Sequence, residues 1–528
     1  MTYDQARDQE QLGKLEAAIG FFINRFNSSP PSQNRQTIIL FPGGLGSQLV
    51  RADSSYQNGV PGQVFSYDTV WLDCNVLTGA PLDLQMQNDI DSENKFIVAD
   101  GAIDFLWMDI RPYNRFLQWC SDQNLDWFVY GWDWRRRLDH TVDFFLTKFL
   151  PRFQQRVHDA CGVDPLQNFT LIGHSFGGMV VKLIMNDPNP IVDTMKRAVT
   201  VGTPFYGYAG QVHRYFEGEY ELNFEGTARI TRVVSSLPGG YVLLFLDKDT
   251  YDRDKGALAA DPDYPLTAYP SVDATNSSII ADPYNPKTNG NKVRYPKNYG
   301  FTNSKLSLAK GVYQQVASPL SDVRNQKFYN VRGVQIEDGE VANGTVNSVK
   351  WDWISKNFNP DTDATPIKDT MSCPGDGVIP AWSARLVSAS PANVRTLVGE
   401  LDHMTMMNAE KIQNELAGIL GLPQMMIMRR ATSRPARGPS KKKVATRKDI
   451  SKFVRGLTAL RTRHEFDSKS DQEQATRRYL AKYNLVELRG LIGRAFIDAL
   501  KTPSQKVGQP PQKTPVARSR GRHRKKRQ

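Results

Sequence analysis

The segment that most constrains the fold of this chain is Leu171-Ile172-Gly173-His174-Ser175-Phe176-Gly177-Gly178. A short apolar run over residues 168–172 precedes it and is typical of a buried strand. After it, apolar residues recur at helical spacing until Asp187-Pro188 ends the pattern. The glycines indicate a strained turn in which the strand and helix backbones come close together. The segment therefore predicts a strand, a tight turn with a serine at its tip, and a helix.

A serine presented in this way is the nucleophile elbow of an α/β-hydrolase, although an inert serine in a glycine-rich turn is the alternative. Further apolar runs of strand type alternate with helical patterns such as the one over residues 141–158. That alternation predicts a mostly parallel central sheet. The predicted strands cover residues 37–41, 126–130, 168–172, 197–201, 327–331 and 394–398.

Two long stretches interrupt the alternation, at about residues 47–104 and 205–325. Structureless loops of that length are uncommon inside a compact domain. We therefore predict an α/β-hydrolase domain over residues 37–422, with a lid at 47–104 and a cap at 205–325 inserted over the carboxyl edge of its sheet. An N-terminal helix and linker occupy residues 1–36.

The positive charge of the chain is concentrated near its C-terminus. Residues 429–528 contain 29 Lys and Arg against 7 Asp and Glu, a net charge of +22, which leaves −10 on residues 1–428 of a chain whose total is +12. We predict a basic linker at 423–448, a small helical module at 449–501 and a disordered basic tail at 502–528. Such an extension is typical of segments that bind an anionic membrane surface or nucleic acid. The alternative is a solvated tail that only increases solubility.

The cysteines predict no metal site. Cys74, Cys120, Cys161 and Cys373 are widely spaced and form no C-x-x-C motif, so we expect isolated thiols and no structural zinc. No apolar run approaches the ~20 residues that span a bilayer, and the N-terminus has no basic region of signal-peptide type. These features predict a cytoplasmic protein.

A serine nucleophile needs a base and an acid that orients it, and in α/β-hydrolases the chain order is Ser, acid, His. Of the seven histidines, His403 follows the last predicted strand, whereas His213 comes too soon after the elbow. Asp376 lies in a glycine-flanked turn after the preceding strand, with Asp402 and Asp369 as alternatives. The prediction is Ser175 as nucleophile, His403 as base and Asp376 as acid.

The reaction also needs two donors for the oxyanion of the tetrahedral intermediate. One is the backbone N–H of Phe176, directly after the nucleophile. For the other we choose Gly44 N–H, in the glycine-rich loop 42–46 after the first core strand. The alternative is that this loop is a plain glycine turn.

Five motifs in chain order, followed by His403, resemble the lecithin:cholesterol acyltransferase family, which includes lysosomal phospholipase A2 and phospholipid:diacylglycerol acyltransferases. The loop 41–49 is similar to the family's P-G-x-L-G-x-x-L, and the elbow matches its G-H-S-x-G. The other three are Tyr130 with Asp133-Trp134-Arg135, similar to Y-D-W-R with two extra residues, then Thr203-Pro204-Phe205, and Gly375-Asp376-Gly377-Val378-Ile379-Pro380-Ala381-Trp382-Ser383, similar to G-D-G-T-V-P-x-W-S.

The resemblance implies acyl-ester chemistry on lipids through an acyl-serine, with Ser175, Asp376 and His403 as the triad and Gly44 and Phe176 as oxyanion donors. It also implies that Trp71 stands for a lid tryptophan that contacts lipid. The chain departs from the family where secreted members have disulfides, since Cys74 and Cys373 lack clear partners. The cap is divergent, and the basic extension has no counterpart in the family.

The sequence therefore predicts a serine-dependent lipid acyl-ester hydrolase or acyltransferase that uses no metal or cofactor. The expected partner is a lipid or ester substrate, and residues 429–528 are expected to bind an anionic membrane surface. One alternative is a non-lipid ester or polyester hydrolase. Another is a protein whose main role is nucleic-acid binding through the basic extension.

Overall fold

The computed structural model describes residues 2–28, 35–52, 69–71, 84–87, 90–91, 96–103, 111–212, 233, 236–273, 276, 278, 280–284, 303–351 and 367–422. The predicted linker, helical module and basic tail at 423–528 therefore lie outside the described residues, as do Cys74, His213 and much of the predicted lid. Within the described residues no helix is both long enough and apolar enough to cross a bilayer.

The secondary structure alternates strands and helices along the chain. The strands are β1 Thr37–Phe41, β2 Ser47–Arg51, β3 Thr69–Trp71, β4 Met86–Gln87, β5 Ile90–Asp91, β6 Ile97–Ala102, β7 Asp126–Val129, β8 Phe169–His174, β9 Arg197–Val201, β10 Ser271–Asp273, β11 Phe328–Glu337, β12 Glu340–Val341, β13 Thr345–Trp351, β14 Ile367–Cys373 and β15 Val394–Gly399. The helices are α1 Tyr3–Ser28, α2 Asn114–Asp122, α3 Leu138–Phe144, α4 Leu150–Cys161, α5 Phe176–Asn186, α6 Ile191–Thr194, α7 Lys248–Ala259, α8 Asn303–Val316, α9 Asp322–Lys327 and α10 Glu410–Leu420. A π-helical turn, Phe145–Phe149, joins α3 to α4, and short 3₁₀ turns occur at Pro238–Leu243, Pro391–Asn393 and Met406–Asn408.

The central sheet has the order β15-β11-β9-β8-β1-β7, and every pair in that series is parallel. β12 adds an antiparallel strand to the end of β11. Helices lie in most of the connections between its strands, and the connection from β11 to β15 instead contains β12, β13 and β14. The chain has the α/β-hydrolase fold, which confirms the prediction.

The strand predictions differ from the structure mainly at β11. The apolar run predicted a strand over 327–331, but β11 continues to Glu337. The first part of β11 pairs with β9 and the later part, Asn330 to Gln335, pairs with β15. The strand continues past the apolar run because β15 pairs with its backbone as far as Gln335 and β12 pairs with Ile336 and Glu337, whatever its side chains.

α5, the helix after the elbow, is buried on nearly every side. Ten of its eleven residues are buried. It contacts β8 and β9 on one side, and α3 and α8 also contact it. This explains its near-continuous apolar sequence, since a helix covered all round has no polar face. α8 belongs to the predicted cap, so the cap region contributes to the core around the elbow.

The connection between β11 and the predicted acid loop is longer than the sequence indicated. β13 and β14 form an antiparallel pair between them, and β10 from the predicted cap pairs with β13. We predicted two excursions from the strand–helix alternation, and this is a third. It was missed because β13 mixes polar with apolar residues and β14 is mostly polar and partly exposed, so neither carries a long apolar run.

The N-terminal helix α1 packs on β6, β7 and α4. Its buried residues recur at helical spacing from Arg7 to Ile23. Gln11 exchanges two hydrogen bonds with the backbone of Ala99 in β6, so its amide takes the place of a neighbouring strand. Arg7 lies 2.9 Å from the buried carboxylate of Asp133, which compensates both charges.

Candidate active site

The elbow places Ser175 between β8 and α5 in a conformation that few serines adopt. Its backbone has φ 52° and ψ −125°, and its N–H donates to Val201 O at 2.8 Å. A Cβ on Gly173 would lie 2.5 Å from Gly178 Cα, and one on Gly177 would lie 2.3 Å from the Phe41 carbonyl oxygen. Only glycine fits such close backbone contacts. The strained turn is therefore held by its surroundings and presents Ser175 at its tip.

The structure brings the three predicted triad residues together. His403 Nε2 lies 2.8 Å from Ser175 Oγ, and His403 Nδ1 lies 2.6 Å from Asp376 Oδ2. The backbone N–H of His403 also donates to the Asp376 carbonyl oxygen at 2.9 Å. The side chains come from the ends of β8, from the turn after β14 and from the loop after β15. All three residues are buried.

The carboxylate of Asp376 fixes the tautomer of the His403 imidazole. The second oxygen of Asp376, Oδ1, accepts the N–H groups of Val378 at 3.1 Å and Ile379 at 2.7 Å. Oδ2 is thus aimed at His403 Nδ1, and because a carboxylate only accepts, Nδ1 carries the proton. Nε2 then presents its lone pair to Ser175 Oγ, which is the arrangement of a general base.

Asp402 and Asp369, the two alternatives for the acid, interact with other groups. Asp402 Oδ1 accepts the N–H of Met404 at 3.0 Å, closing its own loop. Asp369 lies on β14, exposed, with Lys350 at 3.2 Å. The hydrogen bond of His403 Nδ1 is made with Asp376 and not with either of these two residues.

The loop 42–46 lies directly against the elbow, because β1 pairs with β8 and the strands end side by side. A Cβ on Gly43 would lie 3.0 Å from Ser175 Cβ, and one on Gly44 would lie 3.3 Å from the Phe176 ring. Phe176 is the first residue of α5, so its N–H has no partner within the helix. The proximity suits Gly44 and Phe176 to the role predicted for them, which stays a prediction.

Two tryptophans bond the carbonyl groups of this loop. Trp132 Nε1 donates to Pro42 O at 2.9 Å, and Trp71 Nε1 donates to Leu45 O at 2.7 Å. Leu45 has φ 64°, a conformation that leucine rarely adopts, so the loop needs such support. Trp71 is 4% exposed in this arrangement. Its predicted contact with lipid stays a prediction.

Sequence reasoning did not assign Trp132 a role, although it lies inside the segment that resembles Y-D-W-R. Only the motif marked Trp132 as a candidate, because a contact between residues 90 positions apart leaves no local pattern in the sequence. Among the described residues, no group of three or more His, Cys, Asp or Glu lies close enough to hold a metal ion.

No protein-family model matches the chain, and no curated protein matches it in sequence. Eleven chains of solved structures show similarity, and two of them are the following. A chain of the Tle4–Tli4 complex is 14% identical, with a TM-score of 0.40, over 74% of this chain and 98% of that one. The product of gene lin2722 from Listeria innocua is 11% identical, with a TM-score of 0.26, over 74% and 96%. Both scores are too low for the activity of either protein to be transferred to this chain.

Proposed function

We propose that the protein is a serine-dependent acyl-ester hydrolase or acyltransferase that acts on lipids. The observation that carries the proposal is the continuous hydrogen-bond chain from Ser175 through His403 to Asp376, at an elbow in an α/β-hydrolase fold. A buried serine without a base would be an ordinary hydroxyl. A serine 2.8 Å from an imidazole nitrogen of fixed tautomer is an activated nucleophile.

In the first half-reaction, Ser175 Oγ attacks the ester carbonyl carbon while His403 Nε2 takes the hydroxyl proton. The carbonyl oxygen becomes an oxyanion, which the N–H groups of Gly44 and Phe176 stabilise. The C–O bond to the leaving alcohol then breaks as His403 returns the proton to that oxygen. An acyl-serine remains, and Asp376 keeps the imidazolium oriented throughout.

In the second half-reaction, water or an alcohol attacks the acyl-serine, with His403 again as base. Water gives a free acid and makes the protein a hydrolase. An alcohol gives a new ester and makes it an acyltransferase. The lipid class is supported by the five motifs that resemble the lecithin:cholesterol acyltransferase family and by the predicted lid and cap.

The first test is hydrolysis of p-nitrophenyl esters of increasing acyl length by the wild type and by Ser175→Ala, with labelling by a fluorophosphonate probe. We expect turnover and labelling that both vanish in the variant, and rates that rise with acyl length. A profile that favours short acyl groups would replace the lipid with a small ester. A wild type that neither labels nor turns over, even with vesicles present, would end the catalytic proposal.

Transfer and hydrolysis are separated by supplying a phospholipid as acyl donor, with and without a long-chain alcohol. Formation of the new ester at the expense of free fatty acid identifies an acyltransferase. Unchanged release of fatty acid identifies a hydrolase. Ser175→Ala is the control for both products, since each requires the acyl-serine.

We propose further that residues 429–528 dock the enzyme on anionic membranes, since each basic residue near such a surface contributes about 1 kcal/mol. The full chain should sediment with phosphatidylserine vesicles at low salt and be released at high salt. Vesicles of neutral lipid are the control. Retention on DNA without vesicle binding would favour the nucleic-acid alternative, and binding to neither would leave the extension as a solubilising tail.

A further inference from the structure

Two buried polar side chains beside Ser175 take no part in the triad. Tyr113 precedes α2 and His174 is the last residue of β8, and each is 2% exposed. Tyr113 Oη lies 2.9 Å from His174 Nδ1 and accepts the N–H of Gly43 at 2.7 Å. His174 Nε2 lies 2.9 Å from the carbonyl oxygen of His403. The four groups form one chain of hydrogen bonds from the loop 42–46 to the main chain of the base.

Each group in this chain has a single possible role. The carbonyl oxygen of His403 can only accept, so His174 Nε2 carries the imidazole proton. Nδ1 is then the acceptor, and Tyr113 donates its hydroxyl proton to it. The hydroxyl oxygen remains free to accept from Gly43 N–H. All the bonds therefore run in one direction, from Gly43 to Tyr113 to His174 to His403.

Burial keeps both side chains in the protonation states that this direction needs. Burial, with a smaller contribution from nearby His403, lowers the pKa of His174 well below its usual value, so the imidazole stays neutral. Burial also raises the pKa of the Tyr113 hydroxyl, which stays protonated. Hydrogen bonds of this kind in a dry interior are strong, and leaving one unmade is costly.

We infer that Tyr113 and His174 are positioning residues that hold the loop 42–46, the oxyanion loop of the proposed mechanism, and the base His403 in one fixed geometry around Ser175. The inference rests on the proposed function and deepens it. At one end, Tyr113 occupies the N–H of Gly43, so the next N–H, that of Gly44, is the one left for the oxyanion. At the other end, His174 fixes the carbonyl of His403, whose N–H is already bonded to Asp376 O.

Tyr113→Phe removes the hydroxyl that joins Gly43 to His174 in the middle of the hydrogen-bond chain. The phenyl ring keeps its edge contact with His174, so only the hydroxyl is lost. We expect kcat for a p-nitrophenyl ester, and the rate of fluorophosphonate labelling, to fall about 10- to 100-fold, with KM nearly unchanged. A purely structural hydroxyl would lower the melting temperature and leave kcat of the folded enzyme intact.

The matched control is Tyr206→Phe. Tyr206 is also buried, and its hydroxyl also joins a backbone N–H, that of Val387, to a side chain, Asp254. Its partners lie outside the triad and the oxyanion loop. We expect a similar fall in melting temperature for both variants and a fall in kcat for Tyr113→Phe alone. Equal kcat in the two variants would overturn the inference.

His174→Gln gives a second test should Tyr113→Phe fail to fold. The glutamine amide keeps a donor near the position of Nε2, so the bond to His403 survives while the tie to Tyr113 is lost. Because both changes break the same link, the double variant should be no slower than the slower single variant. If the fold-loss of kcat in the double variant equals the product of the two single losses, the two changes break different links and the inference is refuted. An inactive, unlabelled wild type defeats the proposed function and the inference falls with it, whereas an active wild type with full kcat in Tyr113→Phe defeats the inference alone.

Discussion

Asp376→Asn is the substitution whose outcome the structure determines most closely. Oδ1 of Asp376 accepts two backbone N–H groups, from Val378 and Ile379. An asparagine must keep its carbonyl oxygen there, because an NH₂ group would face two donors. The NH₂ group is then forced toward His403 Nδ1, which must become an acceptor. The proton moves to Nε2, where it faces Ser175 Oγ, and the imidazole can no longer act as a base.

The size of the effect follows from that wrong tautomer. The same change in the serine protease triad lowers kcat about 10⁴-fold, and we expect a similar loss here, equivalent to roughly 5.5 kcal/mol of transition-state stabilisation. The free energy of unfolding should change little, within about 1 kcal/mol, because the two backbone bonds to the side-chain oxygen survive. Activity and stability are thereby separated in one variant.

The assay is steady-state hydrolysis of a p-nitrophenyl ester, alongside chemical denaturation of the same preparations. Asp369→Asn and Asp402→Asn are the controls, since Asp369 lies exposed on β14 and an asparagine at 402 still accepts the N–H of Met404. Both should keep wild-type kcat within about threefold, as surface or local changes usually do. More than a tenth of wild-type kcat in Asp376→Asn, or a larger loss in Asp402→Asn, would refute the assignment of the acid.

Three further outcomes are expected. Gly177→Ala should cost at least about 3 kcal/mol of stability or prevent folding, because its Cβ would meet a backbone oxygen that cannot move aside. Gly256 lies within α7 where a Cβ would meet open space, so Gly256→Ala should instead raise the free energy of unfolding by about 0.5–1 kcal/mol. Denaturant midpoints measure the stability of both variants, and equal effects would contradict the packing argument. Lys182 is buried in α5 and bonds Ser318 O at 2.8 Å; burial, and then Arg253, lowers its pKa to about 7. Since the unfolded state keeps this proton up to about pH 10, wild-type stability should rise from pH 7 to 10 relative to Lys182→Met, and parallel pH profiles of the two proteins would exclude the effect.

The sheet and the hydrogen-bonded grouping of Ser175, His403 and Asp376 could be predicted from the sequence because their signals are local or few. Apolar runs and one glycine-rich turn mark β1, β8 and β9, and chain order leaves one suitable histidine. The side chains that bond the loop 42–46 could not be predicted in this way. Tyr113 and Trp132 are 70 and 90 positions from their partners in the loop, and no periodicity in the sequence connects them. Such contacts are set by the folded sheet, which brings its strand ends together only after the chain has folded.

Two non-glycine residues with positive φ, Ser175 at 52° and Leu45 at 64°, are the chain neighbours of the predicted oxyanion donors Phe176 and Gly44. Such conformations cost of order 1–3 kcal/mol each and persist only where the surroundings over-determine them. The Val201 carbonyl fixes Ser175, and the indole of Trp71 fixes Leu45. The fold thus maintains strained backbone next to both predicted donors. Glycines around Ser175 made the first strained residue predictable, whereas a leucine gives no such signal, so the second could be found only in the structure. Preorganised donors need no rearrangement during the reaction, which is the condition under which backbone N–H groups stabilise an oxyanion most strongly.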